Sequence, residues 1–501
     1  MDANQLINSD NFPPTNDKLN VVDHISKFLG LAVSQLYLLC AFITCYEVIS
    51  RYVFDAPTQW AFETVMVLCA SAWMLSAGYI TLHRRHIGIT VIYIMMDKAK
   101  QWYLDLFAYV IGVIALWLFV DDTLVRAIES VMMTERAGSA WNSPQPLILK
   151  TMLVTGAMVY LTQLLVNLYR HFDSEIAKNI VSAVSAFIIF RIIMVFLEHT
   201  LELKGVIAIN EYLGSIAAYL EPTRYVDIRD IGIKWASILI VSLMVLLMMT
   251  GMPLGIVTLF VSILSALFYF GFNGLYLVST NAFGLLEAYP LIAVPLFVLM
   301  ASILEKAGVA EDLFDAMQIF AGKLRGGVAI QTIVVAVILA AMSGVMGGEI
   351  VMLGLVALPQ MMRLGYNRKL AIGVVCASGA LATLIPPSII MIVYGLSANV
   401  AIGDLFMAGA VPGLMLASFY AIFTLIRCYI NPSLAPNAEE VAAARGKEMK
   451  LSKEKKSAVM MCVFLIFCVM GSIYAGIASV TEAAAVGVVG AIIVAFVRNS
   501  F

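Results

Sequence analysis

The sequence predicts an all-α integral membrane protein, a multi-span helical bundle, on three observations. Hydrophobic residues make up 61% of the chain and charged residues only 13%, against roughly a quarter charged in soluble domains. Mean hydropathy is +0.93, and apolar runs long enough to cross about 30 Å of hydrocarbon recur along the whole chain. Between Leu339 and Gly395 two of these runs are interrupted by residues that break or satisfy a backbone. Such breaks are tolerated at membrane depth only where protein or a water-filled cavity covers the freed carbonyls and amides. An ordinary soluble protein is excluded. The net charge of −2 favours no class of charged partner, and no basic cluster of the kind that binds nucleic acid is present.

Residues 1–28 read as a cytoplasmic N-terminal tail. Their polar, partly acidic start, MDANQLINSDNFPPTNDKLNVVDHI, differs from the basic start and short apolar core of a cleavable signal peptide. Residues 29–175 form a four-helix membrane unit, with spans near 29–50, 61–82, 103–123 and 148–169. The loop after the second span carries Arg84, Arg85, Lys98 and Lys100, while the loop after the first has only Arg51. Cytoplasmic loops are enriched in Lys and Arg, so the N-terminus is expected inside, with the unit returning inside at Arg170 and Lys178. Glu47 and Glu63 lie near span ends with Arg51 and Trp60 between them, and read as interfacial pairing and anchoring. His83 and His86 flank Arg84 and Arg85 with no third ligand at metal spacing, which reads as a solvated anchor.

Residues 176–230 form a linking helix and periplasmic connector. The apolar run 179–197, NIVSAVSAFIIFRIIMVFL, contains Arg191 and has two readings: one extra crossing that delivers the next unit from the outside, or a helix lying along the interface. In 198–230 the acids Glu198, Glu202, Glu211, Glu221, Asp227 and Asp230 outnumber the bases Lys204, Arg224 and Arg229, as expected of a periplasmic segment.

Residues 231–501 form the second, larger unit. Spans or half-spans are expected at 235–250, 252–272, 291–306, 327–342, 369–394, 404–430, 457–475 and 482–498. Basic loops at Lys323/Arg325, at Arg363/Arg368/Lys369 and from Arg445 to Lys456 are expected cytoplasmic anchors. The polar stretch NPSLAPNAEEVAAARGKEMKLSKEKK reads as a connector between two halves of this unit. All seven cysteines, Cys40, Cys45, Cys69, Cys376, Cys428, Cys462 and Cys468, lie in or beside apolar runs without CxxC spacing. They read as buried, inert thiols.

The chemistry concentrates in the two breaks. The first, AMSGVMGGEIVMLG, holds Ser343, Gly344, Gly347, Gly348 and Glu349, and reads as a re-entrant hairpin in which the Gly347–Gly348 pair permits irregular backbone. The second, CASGALATLIPPSIIMIVYG, holds Ser378, Gly379, Thr383, Pro386, Pro387 and Ser388. Its prolines remove amide donors and are expected to leave the carbonyls near Leu381 to Thr383 without helical partners. Free carbonyls with hydroxyls suit a hard monovalent cation, and half-helix N-termini facing the same cavity favour an anion. Pro-Pro kinks also occur for shape alone. An intramembrane carboxylate is costly and faces a cavity or a partner, so three roles stand open for Glu349: binding a cation, carrying a coupling proton, or lying in water at the hairpin mouth. An enzyme would need a convergent nucleophile, acid/base pair or metal cluster, and Glu349 alone does not supply one.

These residues carry a family resemblance. RYVFDAPTQWAFETVMV followed by HRRHIG resembles the small membrane subunit of tripartite ATP-independent periplasmic (TRAP) transporters, the DctQ-like component. MPLGIV, YPLIAVPLFVLMASILEKAG, GKLRGG, the hairpin at 343–364, LIPPSIIMIVYG and GIASVTEAAAVG are similar to the large, DctM-like subunit. The resemblance covers roughly 25–175 and 230–501 and implies a fused permease, with 179–197 as the linking helix a fusion requires. It further implies an elevator-type, Na⁺-driven secondary transporter in the bacterial inner membrane. A separate periplasmic binding protein would deliver an organic acid, commonly a carboxylate or dicarboxylate. No enzyme activity and no cofactor beyond Na⁺ as coupling ion are implied. Ser343 to Glu349 and Ser378 to Ser388 occupy the positions of the family's first hairpin and first kinked helix, where Na⁺ and substrate bind.

The chain departs from the family in two places. SGVMGGE stands where many relatives have a hydroxyl-rich SGSATAD-like run, which shifts the expected ligands toward backbone and Glu349. Nothing after Lys456 reproduces the Gly-rich hairpin or the Pro-Pro break, so the chain reads as the first repeat plus the start of a second. Either a continuation or another polypeptide is then expected to complete the site, and the competing reading is a non-transporting membrane scaffold or truncated remnant.

Overall fold

In the computed structural model, the described residues are 20–201, 207–209, 212, 214–215, 231–321, 324–437 and 453–498. Most of the N-terminal tail, most of the polar segment 198–230 and the greater part of the connector before Lys453 lie outside them. Helix accounts for 84% of the structure, with no strand among the described residues, so the all-α expectation holds.

The helices run in chain order as α1 Val21–Val53, α2 Ala61–Leu82, α3 Lys98–Met132, α4 Gln145–His171 and α5 Glu175–Leu201. They continue as α6 Ile233–Met249, α7 Leu254–Phe270, α8 Leu275–Leu286, α9 Ala293–Lys306, α10 Val309–Ala321, α11 Gly327–Ser343 and α12 Met346–Arg363. The remainder are α13 Arg368–Gly379, α14 Ile389–Ala398, α15 Ile402–Ile430, α16 Lys453–Tyr474 and α17 Val480–Val497. Nine helical stretches among the described residues are long and apolar enough to cross a membrane, the linking helix α5 among them.

Two helices were not separable from the hydropathy pattern. The run at 252–272 continues through a 3₁₀ turn at Gly271–Gly274 into α8. Helix α10 is amphipathic, with Glu311 and Asp312 in its first turn, so its mean hydropathy gave no span. Asp312 is 1% exposed and pairs with Arg498 at 2.8 Å, which permits an acid at that depth.

The chain packs as two compact units. One comprises 1–36 and 62–287, the other 37–61 and 288–501. In the first, small residues let helices approach closely. A Cβ at Gly30 would lie 2.4 Å from the Tyr79 ring, and one at Gly156 would lie 2.6 Å from Met74. Leu124, Ala127 and Ile128 of α3 form an apolar cluster with Val154 of α4 and Val195 of α5, so the linking helix packs against α3 and α4. Arg191 reaches Asp121 at 3.5 Å.

The HRRHIG loop departs from a solvated anchor. His86 is half-buried and stacks on Tyr160, ring centroids 5.0 Å apart. The Thr81 hydroxyl donates to Ala77 O, so the imidazole Nε2–H donates to Thr81 Oγ1 at 2.8 Å. Burial holds the His86 pKa down to about 4, leaving Arg84 and Arg85 as the exposed charges of the loop. Ile87 O accepts from Leu254 N at 2.8 Å, which joins this loop to the MPLGIV segment.

In the second unit Arg51 bridges Glu47 at 2.6 Å and Glu482 at 3.3 Å. Glu482 also closes a capping box with Ser479 at the start of α17. The expected pairing thus holds for Glu47. Glu63 instead accepts hydrogen bonds from the Ser139 and Ser143 hydroxyls in the first unit. The seven cysteines form no disulfide, but Cys376 and Cys468 are exposed and Cys45 is intermediate, so burial describes only four of them. Position within an apolar run does not say which helix face a residue takes.

Candidate functional site

Helices α11 and α12 are separated by Gly344 and Val345 alone. Gly344 is left-handed, at φ +60, a conformation that a side chain disfavours. Space confirms the need for glycine, because a Cβ here would lie 2.1 Å from the carbonyl oxygen of Pro387. The break therefore rests on Gly344. Gly347 and Gly348, expected to supply irregular backbone, sit in the first turn of α12 and face open space. What they leave uncovered is a helix N-terminus, where amide donors have no intrahelical partner.

The second break comprises a 3₁₀ turn at Ala380–Thr383, then Leu384 to Ser388 with a cis Pro386–Pro387 bond, then α14. The carbonyls expected to be free are partly used. Leu381 O accepts from Leu384 N at 3.0 Å and Ile385 N at 2.8 Å. Thr383 O accepts from the Ser388 hydroxyl at 2.8 Å, and the Thr383 hydroxyl turns back to Ala380 O at 2.8 Å. The short turn and one serine thus replace the helical bonds that the prolines remove.

The two breaks touch. Ile389 N, at the start of α14, donates to Gly344 O at 3.5 Å. A Cβ at Gly379 would lie 2.3 Å from Ile350 Cγ1, so α13 presses against the first turns of α12. Ser343, Gly344, Glu349, Gly379, Pro387 and Ser388 are thereby gathered at one junction.

Two buried oxygens, one in each broken segment, lack hydrogen-bond partners among the described residues. The Ser343 hydroxyl donates to Glu349 Oε1, but Glu349, 3% exposed, has no partner at Oε2. Ser378 is fully buried with its hydroxyl unpartnered. A buried polar atom without a partner costs about 1–3 kcal/mol, and a native fold that carries two of them close to a helix break has groups to offer a ligand. The available donors are oxygens, which suits a hard cation such as Na⁺. The N-terminus of α12 supplies a positive dipole end.

A cavity of about 110 Å³ adjoins Glu349 and is lined by Ser302, Glu305, Ser343 and Gly348 with apolar neighbours. Ser302 and Glu305 of α9 lie outside the residues that the sequence pattern marks as the site. The signal was present, since ASILEKAG places a serine and an acid in an apolar run, but nothing local shows that this helix meets the hairpin.

These features define a multi-span helical membrane protein with two broken helices that touch each other, each carrying a buried oxygen without a partner. Comparison with known proteins gives the family. Residues 240–500, just over half of the chain, match the tripartite ATP-independent periplasmic transporter, DctM component, and the chain belongs to this family. Residues 40–174 match the DctQ component, so small and large TRAP subunits are fused in one polypeptide. TRAP permeases are not enzymes.

The chain is 32% identical to the C4-dicarboxylate TRAP transporter large permease protein DctM of Vibrio cholerae, over 51% of this chain and 54% of that protein. It is 33% identical to the ectoine TRAP transporter large permease protein TeaC of Halomonas elongata, over 52% of this chain and 59% of that one. It is also 33% identical to the isethionate TRAP transporter permease protein DctMQ of Oleidesulfovibrio alaskensis, over 44% of this chain and 34% of that one. The chain spans about half the length of the first two.

Proposed function

We propose that the chain is the permease component of a Na⁺-coupled, binding-protein-dependent secondary transporter that takes up an organic acid, a carboxylate or dicarboxylate, across the bacterial inner membrane. The observation that carries this reading is a pair of buried, unpartnered oxygens at the two breaks, Glu349 Oε2 in the first turn of α12 and Ser378 Oγ in the last turn of α13. Oxygen atoms there would hold Na⁺, and helix N-termini would favour the carboxylate of the substrate. A soluble periplasmic binding protein would deliver that substrate, and the N-terminus would lie in the cytoplasm. The relatives named above are described as permeases for C4-dicarboxylates, ectoine and isethionate, which supports a small anionic or zwitterionic cargo.

The test is uptake of radiolabelled four-carbon dicarboxylate, ectoine and isethionate into cells that express the chain together with its binding protein. The dicarboxylate or ectoine is expected to accumulate only when Na⁺ and the binding protein are both present, and uptake of isethionate alone, a sulfonate, would overturn the carboxylate assignment. Uptake unchanged by replacing Na⁺ with choline would overturn the coupling, and no uptake of any probe would favour a non-transporting scaffold.

A further inference from the structure

Helix α3 carries two consecutive aspartates, Asp121 and Asp122, ten and more residues before its end at Met132. Neighbouring residues on a helix point about 100° apart, so each aspartate meets different neighbours. Asp121 pairs with Arg191 of the linking helix α5 at 3.5 Å. Asp122 belongs to a separate network. Arg126 binds it through two nitrogens, Nε to Oδ2 at 3.1 Å and a terminal nitrogen to Oδ1 at 3.3 Å. The Ser279 hydroxyl of α8 donates to Asp122 Oδ2 at 2.5 Å and accepts from Arg126 Nε at 2.9 Å. The Arg126 guanidinium also sits 3.9 Å from the centroid of the Tyr276 ring, one turn earlier on α8. A nearby cation repeats the pattern, as Lys150 of α4 pairs with Glu135 at 2.5 Å and lies 5.0 Å from the Phe283 ring of α8.

Charges in an apolar bundle are retained only where they are paired or wetted. Both aspartates are paired, and a cavity of about 460 Å³ lined by Arg126, Glu129, Lys150, Tyr276 and Ser279 adjoins the Arg126 side of the network. The location matters more than the cost. Helix α3 lies in the DctQ-matching part of the chain and α8 in the DctM-matching part, yet both pack in one compact unit.

We infer that Asp121 and Asp122 make α3 the hub of this unit, Asp121 fastening the linking helix through Arg191 and Asp122 fastening α8 through Arg126, Ser279 and Tyr276. The small-subunit-like helices and the first large-subunit-like helices are thus held together by side-chain charge as well as by the connecting chain.

Hydrogen–deuterium exchange of the full chain in detergent tests the division of labour. Arg126→Leu is expected to speed amide exchange in 275–286 by more than about fivefold, the population effect of leaving one buried polar partner unmade, with 175–201 unchanged. Arg191→Leu is expected to do the reverse. Because removing both members of an ion pair costs less than stranding one, Asp122→Asn combined with Arg126→Leu should exchange more slowly in 275–286 than Arg126→Leu alone. Ser279→Ala, a milder change, should loosen 275–286 and spare 175–201 even where an arginine variant fails to fold. The inference is overturned if either arginine variant leaves its own target helix unchanged, if both loosen the same helices, or if the double variant is the worse one.

Discussion

Glu349 and Ser378 can be separated from ordinary core residues by comparing stability with transport. The hydroxyl of Ser378 is buried without a partner, so Ser378→Ala removes a destabilising group. The variant should melt at or slightly above the wild-type temperature, a gain of up to about 1 kcal/mol, while Na⁺-dependent uptake falls. Glu349→Gln keeps the shape of the side chain but not its charge, and should lower Na⁺-dependent uptake by about tenfold, the effect of one lost interaction of about 1.4 kcal/mol. Wild-type Na⁺ dependence in both variants would remove these residues from the ligand set. The oxygen-bearing residues were legible in the sequence because an acid and serines stand out in apolar helix. Their hydrogen-bond state was not, since the Thr383 and Ser388 hydroxyls are engaged locally whereas that of Ser378 is not.

The two broken helices form a single element in the packing sense. Gly344 is left-handed and leaves no room for a Cβ against Pro387 O. Gly344→Ala is therefore expected to destabilise the protein by roughly 1–3 kcal/mol, and thermal unfolding in detergent would show it. The same substitution at Gly347 or Gly348, which meet no atoms within 4 Å, should be close to neutral or stabilising by up to about 1 kcal/mol. An equal loss at all three positions would refute this account. The positions of both breaks were readable from glycine and proline, whose backbone effects are local. That Gly344 alone makes the first break, and that it meets Pro387, depends on tertiary contact between segments more than forty residues apart, which no local pattern encodes.

At the scale of the whole molecule, protonation links one loop to global stability. The folded state holds His86 at about 4, against an ordinary value of 6.5, so the unfolded chain binds this proton more readily. Stability contributed by neutral His86 is then fully present above pH 6.5 and is lost as pH falls from 6.5 toward 4. At pH 5 the loss should be roughly 1–2 kcal/mol relative to pH 7. His86→Gln should flatten the melting temperature across that window, and an unchanged pH dependence in the variant would assign the effect elsewhere. Hydropathy gave the helical class and most spans. It gave neither α10, whose acidic face is matched by Arg498 far along the chain, nor the packing of 233–286 in one unit with α2, α3 and α4.

The contact between Gly344 and Pro387 also defines what can be exchanged between homologues. A donor segment that brings only residues 327–363 inherits a turn shaped for a carbonyl it no longer meets, and one that brings only 368–398 meets the opposite mismatch. A graft must therefore carry Gly344 and Pro387 together, and the glycines of α15 that fit against Leu384 and Ile385, Gly409 and Gly413, set the same demand on its far side.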